Sequence, residues 1–227
     1  MTKPLNIVVL GRGKTGAFVA QVARERDHQV QTVASAENKG AAWLTPENLR
    51  GTDVVIDFTT PHAVMANIEA VVRSRKPMVV GTTGWYSEMR RVKALIEAAG
   101  TGFVFGANFS YGVNLFFQIL KAAAPALSHG YSGHITERHH IHKKDAPSGT
   151  AVAMQKILQS EHVDITSERE GDVAGTHTLE LTSPGDRMVM THEAKSRRTF
   201  AEGAVLAAEW IIERQGCYDF KDVFAGL

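Results

Sequence analysis

The strongest constraint on this chain lies near its start. Leu5-Asn6-Ile7-Val8-Val9-Leu10 is an almost wholly apolar run that stops where Gly11-Arg12-Gly13-Lys14-Thr15-Gly16 spells G-x-G-x-x-G. A short run without polar alternation reads as a strand buried on both faces, the setting of a parallel sheet. From Lys14 to Arg26, Ala17, Val19, Ala20, Val22 and Ala23 form a helical stripe. In a strand, glycine turn and helix of this kind, the first glycine allows the tight turn and the second admits a pyrophosphate to backbone N–H groups. The third lets helix and strand pack, and the helix terminus supplies partial positive charge. An ordinary glycine turn is the plainer alternative, but the flanking strand and helix favour nucleotide binding. Glu37, just past the next strand, stands where an acid usually takes the ribose hydroxyls. An unpaired acid there repels the 2′-phosphate of NADP, whereas Asn38, Lys39, Arg12 and Lys14 are close enough in sequence to offset it. NADH and NADPH both stay open, with a slight tilt to NADH.

The alternation recurs. Gln29 to Ala34, Val54 to Asp57, Met78 to Val80 and Gly102 to Phe105 read as strands. Pro61 opens a helix to about Ser74 with Thr60 at its N-cap, and Ser87 caps another to about Ala99. Short connections between such elements imply βαβ units. Two further strand ends, Gly81-Thr82-Thr83-Gly84 and Gly106-Ala107-Asn108-Phe109-Ser110, carry small or polar residues that leave room for a flat ring at the crevice.

After Asn108 the pattern changes. Helices over about Tyr111 to Ala124 and Ser148 to Gln159 accompany strands over Tyr131 to His140, Thr176 to Thr182 and Met188 to Glu193, which alternate like half-exposed antiparallel strands. The expected fold class is α/β: a Rossmann-like parallel-sheet domain plus a smaller α+β substrate and oligomerisation domain. The expected boundaries are a dinucleotide-binding domain at 1–108, a substrate domain at 109–198, and a helical segment at 199–227 that packs back on the first domain.

Lys plus Arg number 25 against 24 Asp plus Glu, a net charge of +1, which is too balanced for a nucleic-acid footprint. The N-terminal apolar run is too short for a signal peptide or a membrane span, and the one cysteine, Cys217, fits a reducing, cytoplasmic setting. Any anionic ligand must therefore be held by local groups.

The densest chemistry is Glu137-Arg138-His139-His140-Ile141-His142-Lys143-Lys144-Asp145-Ala146-Pro147-Ser148-Gly149-Thr150-Ala151. A metal site on His139, His140 and His142 is disfavoured, because adjacent residues of a strand point to opposite faces and no cysteine is near. A solvated polar loop is a second reading. The third is proton transfer beside a bound anion, since histidine titrates near neutral pH and a lysine among cations gives up its proton more readily. Ser148 then reads as an N-cap whose helix offers the N–H groups of Gly149 and Thr150 to the carboxylates of a small dicarboxylate.

This stretch closely resembles the E-x-H-H-x-x-K-x-D-A-P-S-G-T-A signature of the 4-hydroxy-tetrahydrodipicolinate (dihydrodipicolinate) reductase family of lysine and diaminopimelate synthesis. Supporting matches include Asp57-Phe58-Thr59, Gly81 to Gly84, Asn108 to Ser110, Gly112-Val113-Asn114, Thr191-His192, Arg197 and Thr199-Phe200-Ala201. The resemblance implies a nicotinamide-dependent reductase in which His139 is the general acid/base and Lys143 the proton donor. It implies a substrate-carboxylate site at His140, Gly149 and Thr150, to which the N-cap Ser148 is added here. It implies cofactor contacts from Gly11, Arg12, Gly13, Lys14, Thr15, Gly16, Glu37, Gly81, Thr82, Thr83, Ala107, Asn108, Phe109 and Ser110, and a homotetramer; from the residues themselves no metal is expected. The chain departs from the family pattern at Lys14-Thr15, where Arg-Met is common. It also departs in length, with the shortening expected between Glu168 and His177. Rival readings are an aspartate or homoserine dehydrogenase-like enzyme, or a dinucleotide-binding sensor without activity.

Overall fold

The computed structural model describes residues 3–159 and 163–226. The outermost positions of the expected domains, residues 1, 2 and 227, lie outside them. The chain divides into two compact units, Met1–Tyr111 with Arg198–Leu227, and Gly112–Arg197.

Among the described residues, the first unit holds a sheet of six parallel strands: β1 (Asn6–Leu10), β2 (Gln29–Val33), β3 (Val54–Asp57), β4 (Met78–Val80), β5 (Gly102–Phe105) and β10 (Gly216–Asp219). Their order is β10-β5-β4-β3-β1-β2. β3 is buried along its whole length, as the uninterrupted apolar run requires. Its side chains alternate between two cores. Val54 and Ile56 join Val19, Ala23, Ala204 and Ala208 of α1 (Lys14–Glu25) and α6 (Arg198–Ile211), while Val55 joins Val64, Ile68, Val92 and Ile96 of α2 (Pro61–Arg73) and α3 (Met89–Ala99).

Several expectations need correction. Thr60 occupies the N-cap of α2 but its side chain makes no capping bond. Ser87 lies in a 3₁₀ turn, and the helix begins at Met89 with Glu88 as its cap. Residues 199–227 are not purely helical: between α6 and α7 (Phe220–Val223) they supply β10, paired with β5 from Gly216–Gly102 to Asp219–Phe105.

The second unit carries the sheet β7-β6-β8-β9, built from β6 (Ser132–His139), β7 (Asp164–Arg169), β8 (Thr176–Thr182) and β9 (Arg187–Glu193). The expectation of antiparallel strands holds for β6 with β8 and β8 with β9, but β7, which the sequence reading missed, pairs parallel to β6. One face packs Ile135, Leu179 and Leu181 against Phe116 and Leu120 of α4 (Tyr111–Ala123) and Met154 and Leu158 of α5 (Gly149–Leu158). On β6 and β8 the buried and part-exposed positions alternate with period two, so Ile135, Glu137 and His139 share the inner side with His177, Leu179 and Leu181.

Candidate active site

At the end of β1 the turn is built as the glycine pattern requires. Gly11 adopts φ +97°, and a Cβ there would strike the Phe58 carbonyl; a Cβ at Gly16 would strike the Gly11 carbonyl. Gly13 is different: it is the N-cap of α1, and nothing lies within 4 Å of where its Cβ would be. α1 has no side-chain cap and no acid in its first turn. Its first N–H groups, flanked by Arg12, Lys14 and Thr15, therefore suit an anionic diphosphate. Beside the turn, Gly11, Ser35, Asn38, Lys39, Gly40, Thr59 and Asn67 help line a cavity of about 250 Å³.

Glu37 accepts a hydrogen bond from Ala34 N–H at 2.9 Å and pairs with Arg12 at 3.4 Å, both side chains about half exposed. It does not line the cavity, whereas Lys39 does. The strand-end residues divide by role. Gly81 lacks a side chain where the Phe58 ring packs. Thr82 is buried and bonded to Asp57, while Thr83 is exposed. Phe109 is buried between Phe58 and Phe220, and Ser110 bonds Thr199 at 3.0 Å. Both side chains turn into the protein, which leaves the backbone of Ala107 to Ser110 as the surface a ligand could meet.

In the second unit, inward-facing Glu137 and His139 form a hydrogen-bonded pair through Oε2 and Nδ1. The other carboxylate oxygen accepts from Arg169 Nη1 at 3.0 Å and from the Ser148 N–H at 3.3 Å. Arg169 also donates to the Asp145 carbonyl at 2.6 Å, tying the strand ends to the lysine loop. Burial pushes the Glu137 carboxyl up, but bonds from Ser167, Arg169 and His139 outweigh it and hold it below the usual carboxylate range. Burial pushes His139 down more than its bond to Glu137 raises it, so its imidazole is neutral at pH 7. With Nδ1–H donated to Glu137, Nε2 carries the lone pair. A Cβ at Gly175 would come within 3.0 Å of that atom, so glycine keeps it open.

Lys143 does not sit among cations alone. Its ammonium is held by both oxygens of Asp145, at 2.8 and 2.9 Å. Ser148 caps α5 by accepting from Ala151 N–H at 3.2 Å, and its hydroxyl also meets His177 Nε2 at 3.1 Å. Nothing lies within 4 Å of where a Gly149 Cβ would be, so the first turn of α5 is approachable at Gly149 and Thr150. His140 is half-buried and stacks loosely on exposed His142, with ring centres 6.3 Å apart. His177, driven down to about 4 by burial and then by His139, sets its ring edge-on to His139 at 5.0 Å.

Sequence reasoning missed Glu137, Arg169 and His177 as members of this cluster. The period-two pattern of β6 was the available signal for Glu137, and the register of β6 against β8, which places His177 opposite it, was not. Ligand atoms of Glu137, His139 and His177 lie within 4.8 Å of one another, a different trio from the histidines weighed above. The Arg169 guanidinium already neutralises Glu137 and opposes a second cation there.

Known proteins resemble this chain along nearly its whole length. The family profile described as dihydrodipicolinate reductase, N-terminus, matches residues 5–109, and that described as dihydrodipicolinate reductase, C-terminus, matches residues 112–224. A 4-hydroxy-tetrahydrodipicolinate reductase of Christiangramia forsetii is 34% identical, the alignment covering 98% of this chain and 99% of the relative. That relative is thus of similar length. A namesake from Laribacter hongkongensis is 42% identical over 75% of this chain and 72% of its own. Among solved structures, a dipicolinate-bound dihydrodipicolinate reductase from Paenisporosarcina sp. TG-14 shares the fold, with a TM-score of 0.79 at 21% identity over 97% of this chain and all of the other. With both halves matched and a relative 34% identical along nearly the whole of both chains, the chain belongs to the dihydrodipicolinate reductase family.

Proposed function

We propose that the chain reduces 4-hydroxy-tetrahydrodipicolinate, by way of dihydrodipicolinate, to tetrahydrodipicolinate in lysine and diaminopimelate biosynthesis. The observation that carries this reading is the buried Glu137–His139 pair, anchored by Arg169 and set beside the start of α5. Its curated relatives bear the name of the same activity.

A bound reduced nicotinamide supplies the hydride. The start of α1 with Arg12, Gly13, Lys14 and Thr15 would hold its diphosphate, the cavity by Asn38 and Lys39 its nucleoside, and the backbone at Gly81 to Thr83 and Ala107 to Ser110 would face its ring. The free N–H groups of Gly149 and Thr150, with His140, take the substrate carboxylates. Reduction of the conjugated imine at C4 leaves an enamine that needs a proton at C3. Lys143, held by Asp145, carries that proton, and neutral His139 accepts or returns one through Nε2 while Glu137 stabilises the imidazolium that forms.

Glu37 disfavours a 2′-phosphate, but Arg12 pairs with it and Lys39 lines the cavity. Both coenzymes are therefore expected to work, NADH better by less than about tenfold, a difference of 1.4 kcal/mol. The outer face of the second sheet is polar, with Thr178 and Thr191 bonded at 3.0 Å, and its edge strand β9 exposes Met188 and Val189. We assign this surface to homotetramer formation, which light scattering tests. No helix among the described residues is long and apolar enough to cross a membrane, and a cytoplasmic setting fits the single cysteine.

Mixing the protein with enzymatically generated substrate and NADH or NADPH should lower absorbance at 340 nm. No oxidation of either would overturn the assignment.

A further inference from the structure

A second buried carboxylate lies outside the proton-transfer cluster. Asp57, at the end of β3, is fully buried. Its Oδ1 accepts from Thr59 N–H at 2.9 Å, Thr59 Oγ1 at 2.7 Å and Thr82 Oγ1 at 2.7 Å, and its Oδ2 accepts from Asn67 Nδ2 at 2.8 Å. No cation is among these partners. The bonds continue outward: Asn67 Oδ1 accepts from Asn38 Nδ2 at 2.8 Å, and Asn38 Oδ1 accepts from the backbone N–H of Trp43 at 3.2 Å.

The direction of this relay is forced. Both Asp57 oxygens serve as acceptors, so Asn67 turns its NH₂ to Asp57 and its oxygen to Asn38. Asn38 must then turn its own NH₂ to Asn67 and its oxygen to the Trp43 N–H. One buried carboxyl thus orients two amides in series and fixes the segment from Asn38 to Trp43. Asn38, Lys39, Gly40, Thr59 and Asn67 line the 250 Å³ cavity. Through Thr82 the same carboxylate holds the loop after β4, where Trp85 Nε1 donates to the Thr82 carbonyl at 2.8 Å.

We propose that Asp57 is a positioning residue for dinucleotide binding: through the Asn67–Asn38 relay and Thr82 it sets the walls that receive the nucleoside at one strand end and the nicotinamide at another. This rests on the dinucleotide reading above. The sequence pattern singled out Asp57-Phe58-Thr59 without giving it a task, and the acceptor-only chemistry of the carboxylate supplies one.

The test is NADH binding, followed by fluorescence, alongside steady-state kinetics and melting temperature. Asp57→Asn places an NH₂ against the NH₂ of Asn67, and should raise the Kd and KM for NADH about tenfold or more while kcat at saturating NADH changes less than about threefold, as expected from leaving a buried donor unsatisfied. The exchange variant Asp57→Asn/Asn67→Asp restores an acceptor to every donor and should return Kd to within about threefold of the unaltered protein. Asp53→Asn serves as the comparison for general destabilisation, because Asp53 bonds Asn6 at the other end of the strands, at 2.6 Å, and should leave NADH affinity unchanged. An unchanged Kd in folded Asp57→Asn would overturn the proposal, as would an exchange variant that binds no better than the single one. If Asp57→Asn does not fold, a folded exchange variant with near-normal affinity supports the relay, and one that is unfolded or weak overturns it. Failure of the unaltered protein to bind either NADH or NADPH would instead remove the dinucleotide reading, and the inference with it.

Discussion

Asp57 and Glu137 are both buried carboxylates at strand ends, one in each unit, yet they are satisfied in opposite ways. Asp57 is surrounded by two hydroxyls, one amide and a backbone N–H, whereas Glu137 bonds a guanidinium and an imidazole besides a serine hydroxyl and a backbone N–H. Neutral donors fix geometry without exchanging charge. Ionisable donors make the same geometry responsive to protons, because each partner shifts the other. The contrast separates a carboxylate that fixes geometry from one whose geometry responds to protons.

Breaking the chemistry should have the largest effect. His139→Gln or Lys143→Ala is expected to lower kcat by about 10²- to 10⁴-fold, with NADH affinity nearly unchanged. Near-normal turnover in both would remove the proton-transfer role. Next in size is a pH effect on stability. His177 titrates near 4 when folded against about 6.5 unfolded, so the unfolded chain takes up its proton first. The contribution of this group should be complete above pH 6.5, fall by up to about 3 kcal/mol as pH drops towards 4, and lose nothing more below that. Hydrogen exchange in β6 and β8 should report the loss, and His177→Asn should flatten it.

Glu137→Gln should cost less in rate than loss of His139, about 10- to 100-fold in kcat, since it misplaces the imidazole without deleting it. Glu137 partly counters the burial that lowers His139. Its removal should therefore move the acid limb of kcat/KM, where His139 becomes charged, to lower pH. A rate loss with no movement of that limb would make Glu137 a packing residue alone. The smallest effect is expected at the nucleotide end, where Glu37→Ala should favour NADPH relative to NADH by a few-fold, about 1 kcal/mol, in paired kcat/KM measurements.

The first sheet was largely legible in the sequence because a doubly covered strand must be apolar throughout, as Val54 to Ile56 are. The strands that escaped reading lie at edges. β7, Asp164–Arg169, alternates exposed and half-buried residues, and every residue of β10 is only half-buried, so neither sequence shows an apolar run. The signature around His139 was legible as chemistry. The pairings of Glu137 with Arg169 and of Ser148 with His177 depend on strand register, which composition does not carry. The asparagine relay was hidden for another reason: Asn38 and Asn67 read as loop and helix polars until the fold places them against Asp57.

The late strand β10 and helix α6 have a consequence for the order in which the molecule can assemble. The first unit is interrupted in sequence, with residues 112–197 between its two parts. A chain emerging from the ribosome therefore completes the sequence of the second unit before that of the first, even though the first began earlier. Until residues 198–219 appear, β5 is a bare edge and the inner stripe of α1, Val19 and Ala23, lacks Ala204 and Ala208. The nucleotide-binding half would thus be the last to close, leaving its apolar seam exposed for the longest part of synthesis.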